Sequence, residues 1–329
     1  MSSLLKLIKN FFTQGNERSV NAKRNILFIA ILKGCGIAIS LFLVPVTIHY
    51  VNPTRYGIWL TLSSIVGWFS FFDIGLGNGL RNKFAEAIAS ENHDLARTYV
   101  STTYAILAII IAVVLFIFCC INPFLNWTKI LNTPSDMSHE LRLLALIVFG
   151  FFCLQFVLRL ITTIITANQQ PAKASLFDFL GSLFSLTIIY ILTKTTSGNL
   201  IYLGTVFSLT PVVVLTSSSI WFYNHKYKRY APSVKFVKFR FARDLMSLGI
   251  KFFIIQMAAV ILYQTSNIII AHLFGPEQVT PYNIAYKYFG IITMAFGMIM
   301  VPLWSAYTEA WIKKDISWIK NTIKKLILI

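Results

Sequence analysis

The chain has 329 residues, of which 56% are hydrophobic and 12% are charged, and its formal net charge is +17. Typical soluble domains contain about 25% charged residues, so this composition excludes a soluble globular protein. In a bilayer, by contrast, the outer surface of a protein can be as apolar as its core. The composition therefore predicts an integral membrane protein.

The apolar residues form segments long enough to cross a bilayer as helices, which requires about 20 mostly apolar residues each. Turn-forming pairs such as Asn52-Pro53, Asn122-Pro123 and Gly275-Pro276 separate these segments. The sequence thus predicts an all-α polytopic membrane protein with eight spans, at 25–48, 57–80, 99–123, 142–167, 173–193, 199–222, 245–273 and 281–306.

The positive charges are distributed asymmetrically between the loops. With the N-terminus in the cytoplasm, 21 of the 29 Lys and Arg residues fall on the cytoplasmic side, and only Arg55, Lys129, Arg142 and Lys194 fall outside. This bias follows the positive-inside rule and predicts a multi-pass protein of the cytoplasmic membrane with a cytoplasmic N-terminus. Basic residues placed between apolar runs are typical of loops at a lipid surface, so we expect membrane lipids as partners and no nucleic acid.

A weak internal repeat suggests how the helices are grouped. The first pair of spans has an early lysine, Lys33, and a short turn at Asn52-Pro53, and the seventh and eighth spans repeat this with Lys251 and Gly275-Pro276. Parallel repeats of six spans are a transporter architecture. We therefore expect an N-terminal interfacial arm and a six-helix bundle in residues 1–222. Residues 223–329 would contain a basic cytoplasmic loop and the first two helices of an incomplete second bundle, because the sequence after Trp311 resembles a connector into a further helix, which indicates a C-terminal truncation.

Six ionisable residues fall within the predicted spans, where a charge costs at least about 2.5 kcal/mol near the bilayer centre. Basic side chains there can extend to the headgroups, and acidic ones can pair with them as structural partners. Alternatively, the charges line a cationic cavity for an anionic, phosphate-bearing substrate, with the aspartates as proton or sodium sites. The candidate substrate-binding residues are Lys33, Arg159, Lys251 and Lys287, and the candidate ion-coupling residues are Asp73 and Asp178.

Enzymatic chemistry has no evident location in this sequence. The five histidines and four cysteines have no metal-ligand spacing, and no nucleophile–base arrangement is visible. No segment outside the predicted spans is long enough to form a catalytic domain of its own. The sequence therefore predicts a protein that is not an enzyme, with no catalytic residue, metal site or cofactor.

Residues 56–87 carry a resemblance to a known family. They read YGIWLTLSSIVGWFSFFDIGLGNGLRNKFAEA and follow a short NPTRYG turn. This segment resembles the second-helix signature of polysaccharide and O-antigen flippases of the multidrug/oligosaccharidyl-lipid/polysaccharide exporter superfamily. The likeness is strongest over residues 20–100 and is one of spacing and hydropathy beyond them.

The resemblance implies twelve helices in two bundles around a central cavity, of which this chain would hold eight. It also implies translocation of an undecaprenyl-pyrophosphate-linked oligosaccharide for lipopolysaccharide or other cell-surface polysaccharide synthesis, by alternating access coupled to H+ or Na+, with possible partners in the glycan polymerisation machinery. A multidrug/cation antiporter of the same superfamily and a membrane-embedded enzyme of lipid-linked glycan assembly are the alternatives.

Overall fold

The computed structural model describes residues 17–69, 75–168 and 170–293, together with 316, 320, 323 and 324. These residues are organised into α-helices joined by short turns and 3-10 segments. The helices are α1 Glu17–Val51, α2 Pro53–Gly67, α3 Leu76–Ala89, α4 His93–Ile121, α5 Trp127–Leu131, α6 Ser138–Leu158, α7 Leu160–Ala167, α8 Pro171–Thr195, α9 Leu200–Asn224, α10 Ala242–Phe274 and α11 276–293.

Asparagine begins four of these helices. The side chains of Asn52, Asn92, Asn126 and Asn199 each accept a hydrogen bond from the backbone N–H three residues later. These bonds satisfy one of the free N–H groups that every helix leaves at its start. The helix starts are therefore set by local side chains as well as by packing.

Among the residues that the structure describes, five helical segments are long and apolar enough to cross a membrane by length and composition, namely Leu27–Val51, His93–Phe124, Ser135–Ala167, Pro171–Thr195 and Leu200–Asn224. They correspond to five of the eight predicted spans, and the count of eight stays a prediction. Many large apolar side chains on them point outward, such as Phe42, Phe116 and Tyr190. A lipid-facing surface accounts for this exposure, because hydrocarbon solvates apolar side chains as well as a protein core does.

The segment predicted as one span at 57–80 is divided in the structure. Helix α2 ends at Gly67 and α3 begins at Leu76, after Gly75 with φ of 74°, a conformation that favours glycine. Gly79 on α3 allows close packing, since a β-carbon there would clash with the carbonyl oxygen of Leu245 on α10. Gly75 thus provides the backbone conformation at the start of α3, and Gly79 provides a close helix contact.

The chain divides into two compact units, Met1–Pro281 and Tyr282–Ile329. In the first, α1 packs along α8, α6 and α8 pack against α9, and α10 packs against α2 and α3. In the second, residues 282–293 are helical. The grouping into residues 1–222 and 223–329 is a different kind of division, based on repeats, and it stays a prediction.

Helix ends in the first unit meet at two places. At one end, His93 bonds to Tyr230, and Asn168 bonds to Tyr227, which joins the α3–α4, α7–α8 and α9–α10 connections. We call it the basic end, because it holds the basic α9–α10 connection. At the opposite end, Tyr50 bonds to Thr196 across the α1–α2 and α8–α9 connections. Loops predicted to share one side of the membrane are therefore brought together.

Candidate functional site

Three of the predicted charges come together in the half of the first unit nearer the basic end. Lys33 lies on α1, Arg159 lies between α6 and α7, and Asp178 lies on α8. Lys33 and Asp178 lie six and seven residues after the first residue of their apolar segments, and Arg159 lies eight residues before the end of α7. At 1.5 Å per residue, these separations correspond to about 9–12 Å along the helix. The three residues therefore lie at similar distances from the basic end of their helical segments.

The geometry of this cluster is that of a loose ion pair. An Nη2 atom of Arg159 lies 4.0 Å from Oδ1 of Asp178, and the two side chains are 63% and 71% exposed. Lys33 is exposed as well and lies within electrostatic range of the Asp178 carboxylate. Two cations and one anion give the cluster a net positive charge. At this separation and exposure the pair adds little to stability, so its charges are available to a ligand.

A cavity of 260 Å3 lies beside the ion pair, and Arg159 and Asp178 both line it. Its wall consists of side chains from α1, α6, α8 and α9, and it combines polar and apolar groups. The remaining lining residues are Leu43, Gln155, Phe177, Gly181, Ser182, Ser185, Phe207, Pro211 and Leu215.

Local helix geometry places Arg159 at this cavity. The carbonyl oxygen of Arg159 accepts from the backbone N–H of Thr162 at 3.0 Å and from its hydroxyl at 2.7 Å. These bonds to the residue three positions on tighten the turn, and α6 ends at Leu158 while α7 begins at Leu160. A bond of this kind is a recognised cause of helix bending. The guanidinium therefore extends from a break in the helix.

Pro211 shapes the helix beside the same cavity. Proline inside a helix has no N–H, so the carbonyl of Phe207 four residues earlier loses its usual donor. Phe207 and Pro211 both line the cavity, and Gly181 on α8 lies against the proline ring, where a β-carbon would be 3.7 Å from the Cα of Pro211. The close approach of α8 and α9 here is completed by a hydrogen bond between Ser185 and Thr210.

The other candidate residues are placed differently. Asp73 and the side chain of Lys251 lie outside the described residues, although the backbone of Lys251 belongs to α10. Lys287 is half-buried on α11, within the second compact unit. Roles for these three residues stay predictions.

Sequence reasoning missed the polar residues that surround the charges. Asp178, Ser182 and Ser185 lie at positions i, i+4 and i+7 of α8 and therefore share one face, and Gln155 and Arg159 are likewise four residues apart. A search for polar stripes with helical spacing, in addition to charges, could have found them. Pro211 inside an apolar span was a further visible signal.

The opposite end of the first unit is held by reciprocal contacts between two turns. A β-carbon at Gly57 would clash with the carbonyl oxygen of Pro276, and the Thr280 hydroxyl donates to the carbonyl oxygen of Pro53 at 2.7 Å. Gly57 is five residues after Asn52, and Thr280 is five residues after Gly275. Each of them lies against the proline carbonyl of the other turn.

The two turns also share one backbone conformation. Asn52 has φ of 77° and ψ of 164°, and Gly275 has φ of 90° and ψ of 157°, each followed by a proline that begins a helix. Matching conformations and reciprocal contacts give the two turns equivalent local structures. The internal repeat of the two helix pairs stays a prediction.

Residues 22–306 match the family model described as polysaccharide biosynthesis protein. The chain belongs to this family. The resemblance inferred from residues 56–87 is thus confirmed.

Curated relatives are named for export. The chain is 22% identical over 280 residues to a putative O-antigen export protein of Yersinia pseudotuberculosis, and the match covers 84% of this chain and 62% of the relative. It is 24% identical over 271 residues to a putative O-antigen transporter of Salmonella typhimurium, with 82% and 61% covered. The chain therefore spans about three-fifths of the length of these relatives.

Two solved structures share the fold. An outward-facing multidrug resistance transporter of the MATE family and MOP superfamily matches with a TM-score of 0.64 and 15% identity, over 84% of this chain and 62% of the other. An inward-facing conformation of such a transporter matches with a TM-score of 0.58 and 16% identity, over 75% and 59%. The predicted fold class is confirmed as an all-α fold shared with membrane transporters of this superfamily.

Proposed function

We propose that this protein is a flippase that moves an undecaprenyl-pyrophosphate-linked oligosaccharide across the cytoplasmic membrane for cell-surface polysaccharide synthesis. The observation that carries the proposal is the cluster of Lys33, Arg159 and Asp178 beside a polar cavity. The O-antigen export and transport named for the relatives supports this substrate class. The basic end would face the cytoplasm, where the positive-inside rule puts most of its cations.

The chemistry of the cluster suits a pyrophosphate. A guanidinium presents its N–H groups in a planar fork that can bind two phosphate oxygens at once, and the exposure of Arg159 leaves that fork accessible. Lys33 adds a second cation from another helix. The cavity's hydroxyl and amide side chains, Gln155, Ser182 and Ser185, can bond to sugar hydroxyls. The lipid tail would remain in the bilayer.

Asp178 would couple substrate and ion. A phosphate that binds Arg159 competes with the Asp178 carboxylate, which lies 4.0 Å from the guanidinium. Once released, the carboxylate is free to bind H+ or Na+. Substrate and coupling ion would then favour each other's binding, and alternating access would separate the contacts between Gly57, Thr280 and the two turns.

A multidrug/cation antiporter is the second candidate, because the solved structures that share the fold belong to multidrug transporters. A site for a cationic drug needs an excess of acidic or aromatic groups. The charged residues of the described cavity and cluster are two bases and one acid, which favours an anionic substrate. A flippase of this kind needs no catalytic residue. Its proposed partner is the glycan polymerisation machinery.

The test is transport in liposomes. The protein is reconstituted, and flipping of a fluorescent undecaprenyl-pyrophosphate oligosaccharide is followed by quenching with an impermeant reductant, with and without an ion gradient. We expect flipping that collapses in the Lys33→Ala, Arg159→Ala variant. The control Lys129→Ala, Lys194→Ala removes the same charge at the opposite end and should retain it. Absence of flipping together with export of a cationic dye would establish the antiporter instead.

A further inference from the structure

The connection between α9 and α10, residues 225–241, forms a strap across the basic end. Six of its 17 residues are Lys or Arg and none is acidic. It contains three 3-10 turns, at Lys228–Tyr230, Val234–Phe236 and Phe239–Phe241. The transport site described above does not account for this segment.

Aromatic side chains and backbone groups fix the strap to the bundle. Tyr227 is buried and its hydroxyl accepts from Asn168 at 3.0 Å, and the Tyr230 hydroxyl lies 2.7 Å from Nδ1 of His93. Burial raises the pKa of both phenols, which keeps them neutral at physiological pH. The Arg97 guanidinium donates to the carbonyl oxygen of Ala231 at 3.0 Å.

The second half of the strap is attached to α4 in the same way. The backbone N–H of Ser233 donates to the Ser101 hydroxyl at 3.1 Å, and that of Lys238 donates to the Thr102 hydroxyl at 3.0 Å. The strap is therefore an ordered part of the first unit along its length.

Tyr227 and Tyr230 point toward the bundle, and the cations of the strap point outward. All six cations of the strap are exposed, namely Lys226, Lys228, Arg229, Lys235, Lys238 and Arg240. Partial burial, and then the nearby Lys173 ammonium, lower the pKa of Lys226. Such a concentration of positive charge attracts anions.

Two apolar side chains are exposed among these cations. Val234 is 90% exposed and Phe239 is 57% exposed, and Lys235, Lys238 and Arg240 lie next to them in the chain. Apolar groups surrounded by cations are typical of elements that lie in the headgroup region of a membrane. The position of the strap along the membrane normal agrees with a location in the headgroup region. Trp221, one turn before the end of α9, is 54% exposed, and tryptophan is enriched at membrane–water interfaces.

We propose that the strap binds the anionic phospholipid surface of the bilayer, with its cations on the phosphates and with Val234 and Phe239 inserted between the lipids. A soluble acidic protein or free phosphate would be attracted by the charge but would leave the two apolar groups in water. Binding of this kind is independent of whether the protein is a flippase.

The test uses the full chain in detergent with Cys35, Cys119 and Cys120 changed to alanine, and with an environment-sensitive fluorophore on Val234→Cys. Short-chain phosphatidylglycerol and phosphatidylcholine are titrated in turn. We expect the fluorophore to report transfer to an apolar environment with phosphatidylglycerol at far lower lipid concentration. Changing Lys235 and Lys238 to glutamine should weaken the affinity by about tenfold or more, since each cation near an anionic surface contributes a factor of about five.

The matched control, Lys129→Gln with Lys194→Gln, lies at the opposite end and should leave the affinity unchanged. Thermal unfolding of both double variants checks that the strap stays attached. Equal responses to the two lipids, or an unchanged affinity in the Lys235, Lys238 variant, would overturn the proposal. A response of equal size to inorganic phosphate or to polyglutamate would replace it with a site for free phosphate or for an acidic protein.

Discussion

The two halves of the first unit differ in how α1 is packed. Toward the opposite end, Val44 and Thr47 are buried, whereas toward the basic end Lys33 and Gly34 are exposed. The same helix is therefore part of a core in one half and exposed in the other. The proposed transport needs both properties, because one half must hold the bundle together while the other admits the substrate.

The polar groups of the cluster differ from those near the opposite end. Near the opposite end, polar contacts join distant parts of the chain, such as Asn132 to the carbonyl oxygen of Ala271 and Arg55 to that of Gly198. In the cluster, Arg159 and Asp178 are only loosely paired. Substitutions in the first region should therefore change stability, and those in the second should change ligand binding.

The largest expected effect is on binding at Arg159. Charge-assisted hydrogen bonds contribute about 1.5–3 kcal/mol each, so Arg159→Ala should weaken binding of a pyrophosphate-linked lipid by about tenfold to a hundredfold. Arg159→Lys should recover part of this loss, because it keeps the charge but not the planar fork. Titration of each variant with the lipid checks the effect, and an unfolding free energy lowered along with affinity would indicate a structural role instead.

The substitution Gly57→Ala tests the packing of the half nearer the opposite end. Because a β-carbon there would clash with the carbonyl of Pro276, we expect Gly57→Ala to lower the unfolding free energy by about 1–3 kcal/mol, as overpacking does. Gly34→Ala is the matched control on α1. A β-carbon at Gly34 meets nothing within 4 Å, and replacing glycine by alanine inside a helix adds about 0.5–1 kcal/mol. Changes of equal sign in the two variants would contradict the contrast between the halves.

The substitution Asn52→Gly tests whether the turn at Asn52 is strained, because strain predicts a gain in the unfolding free energy instead of a loss. Its φ and ψ fall in a region that is essentially reserved for glycine and costs about 1–3 kcal/mol. Asn52→Gly should relieve this strain. It also removes the side-chain cap of α2, but glycine is itself a favourable residue at the start of a helix, so this loss is small. The unfolding free energy should therefore rise by about 1 kcal/mol.

Asn199 is the control for that substitution. It caps α9 by the same kind of bond but has φ of −132° and ψ of 123°. Asn199→Gly should therefore lower the unfolding free energy by a few tenths of a kcal/mol. A loss of stability in both variants would show that the turn at Asn52 is not strained.

The smallest expected effect on stability is at Asp178. Exposed ion pairs contribute about 0–1 kcal/mol, so Asp178→Asn should leave thermal unfolding nearly unchanged. If Asp178 couples transport to an ion, the variant should nevertheless flip substrate at a rate that no longer responds to an imposed H+ or Na+ gradient. A retained response would assign coupling to another residue, of which Asp73 is the predicted candidate.

The sequence allowed Lys33, Arg159 and Asp178 to be identified as charges within predicted spans, because a charge is easily recognised in an apolar segment. It could not reveal that Arg159 and Asp178 form a pair, since this depends on how α7 and α8 pack. The division of segment 57–80 was also missed. The whole segment was predicted as one apolar span, and the start of α3 depends on the backbone conformation at Gly75.

The reciprocal turn contacts show a further limit. The sequence indicated that the turns at Asn52 and Gly275 correspond, but not that Gly57 and Thr280 would touch the partner turn. Likewise, the charge of residues 225–241 was evident, whereas the attachment of the strap through Tyr227 and Tyr230 required the packed bundle. Local patterns identified elements, and long-range contacts came only from the fold.

The most direct test of the account is the accessibility of Ser182, which lines the cavity beside Asp178. Ser182→Cys, in a chain whose Cys35, Cys119 and Cys120 are alanine, is treated with an impermeant thiol reagent from either side of oriented vesicles. We predict rapid modification from the side of the basic end, and protection by an undecaprenyl-pyrophosphate oligosaccharide that depends on Arg159. Modification that proceeds equally from both sides, or that the lipid does not slow, would contradict a pyrophosphate site in the accessible half.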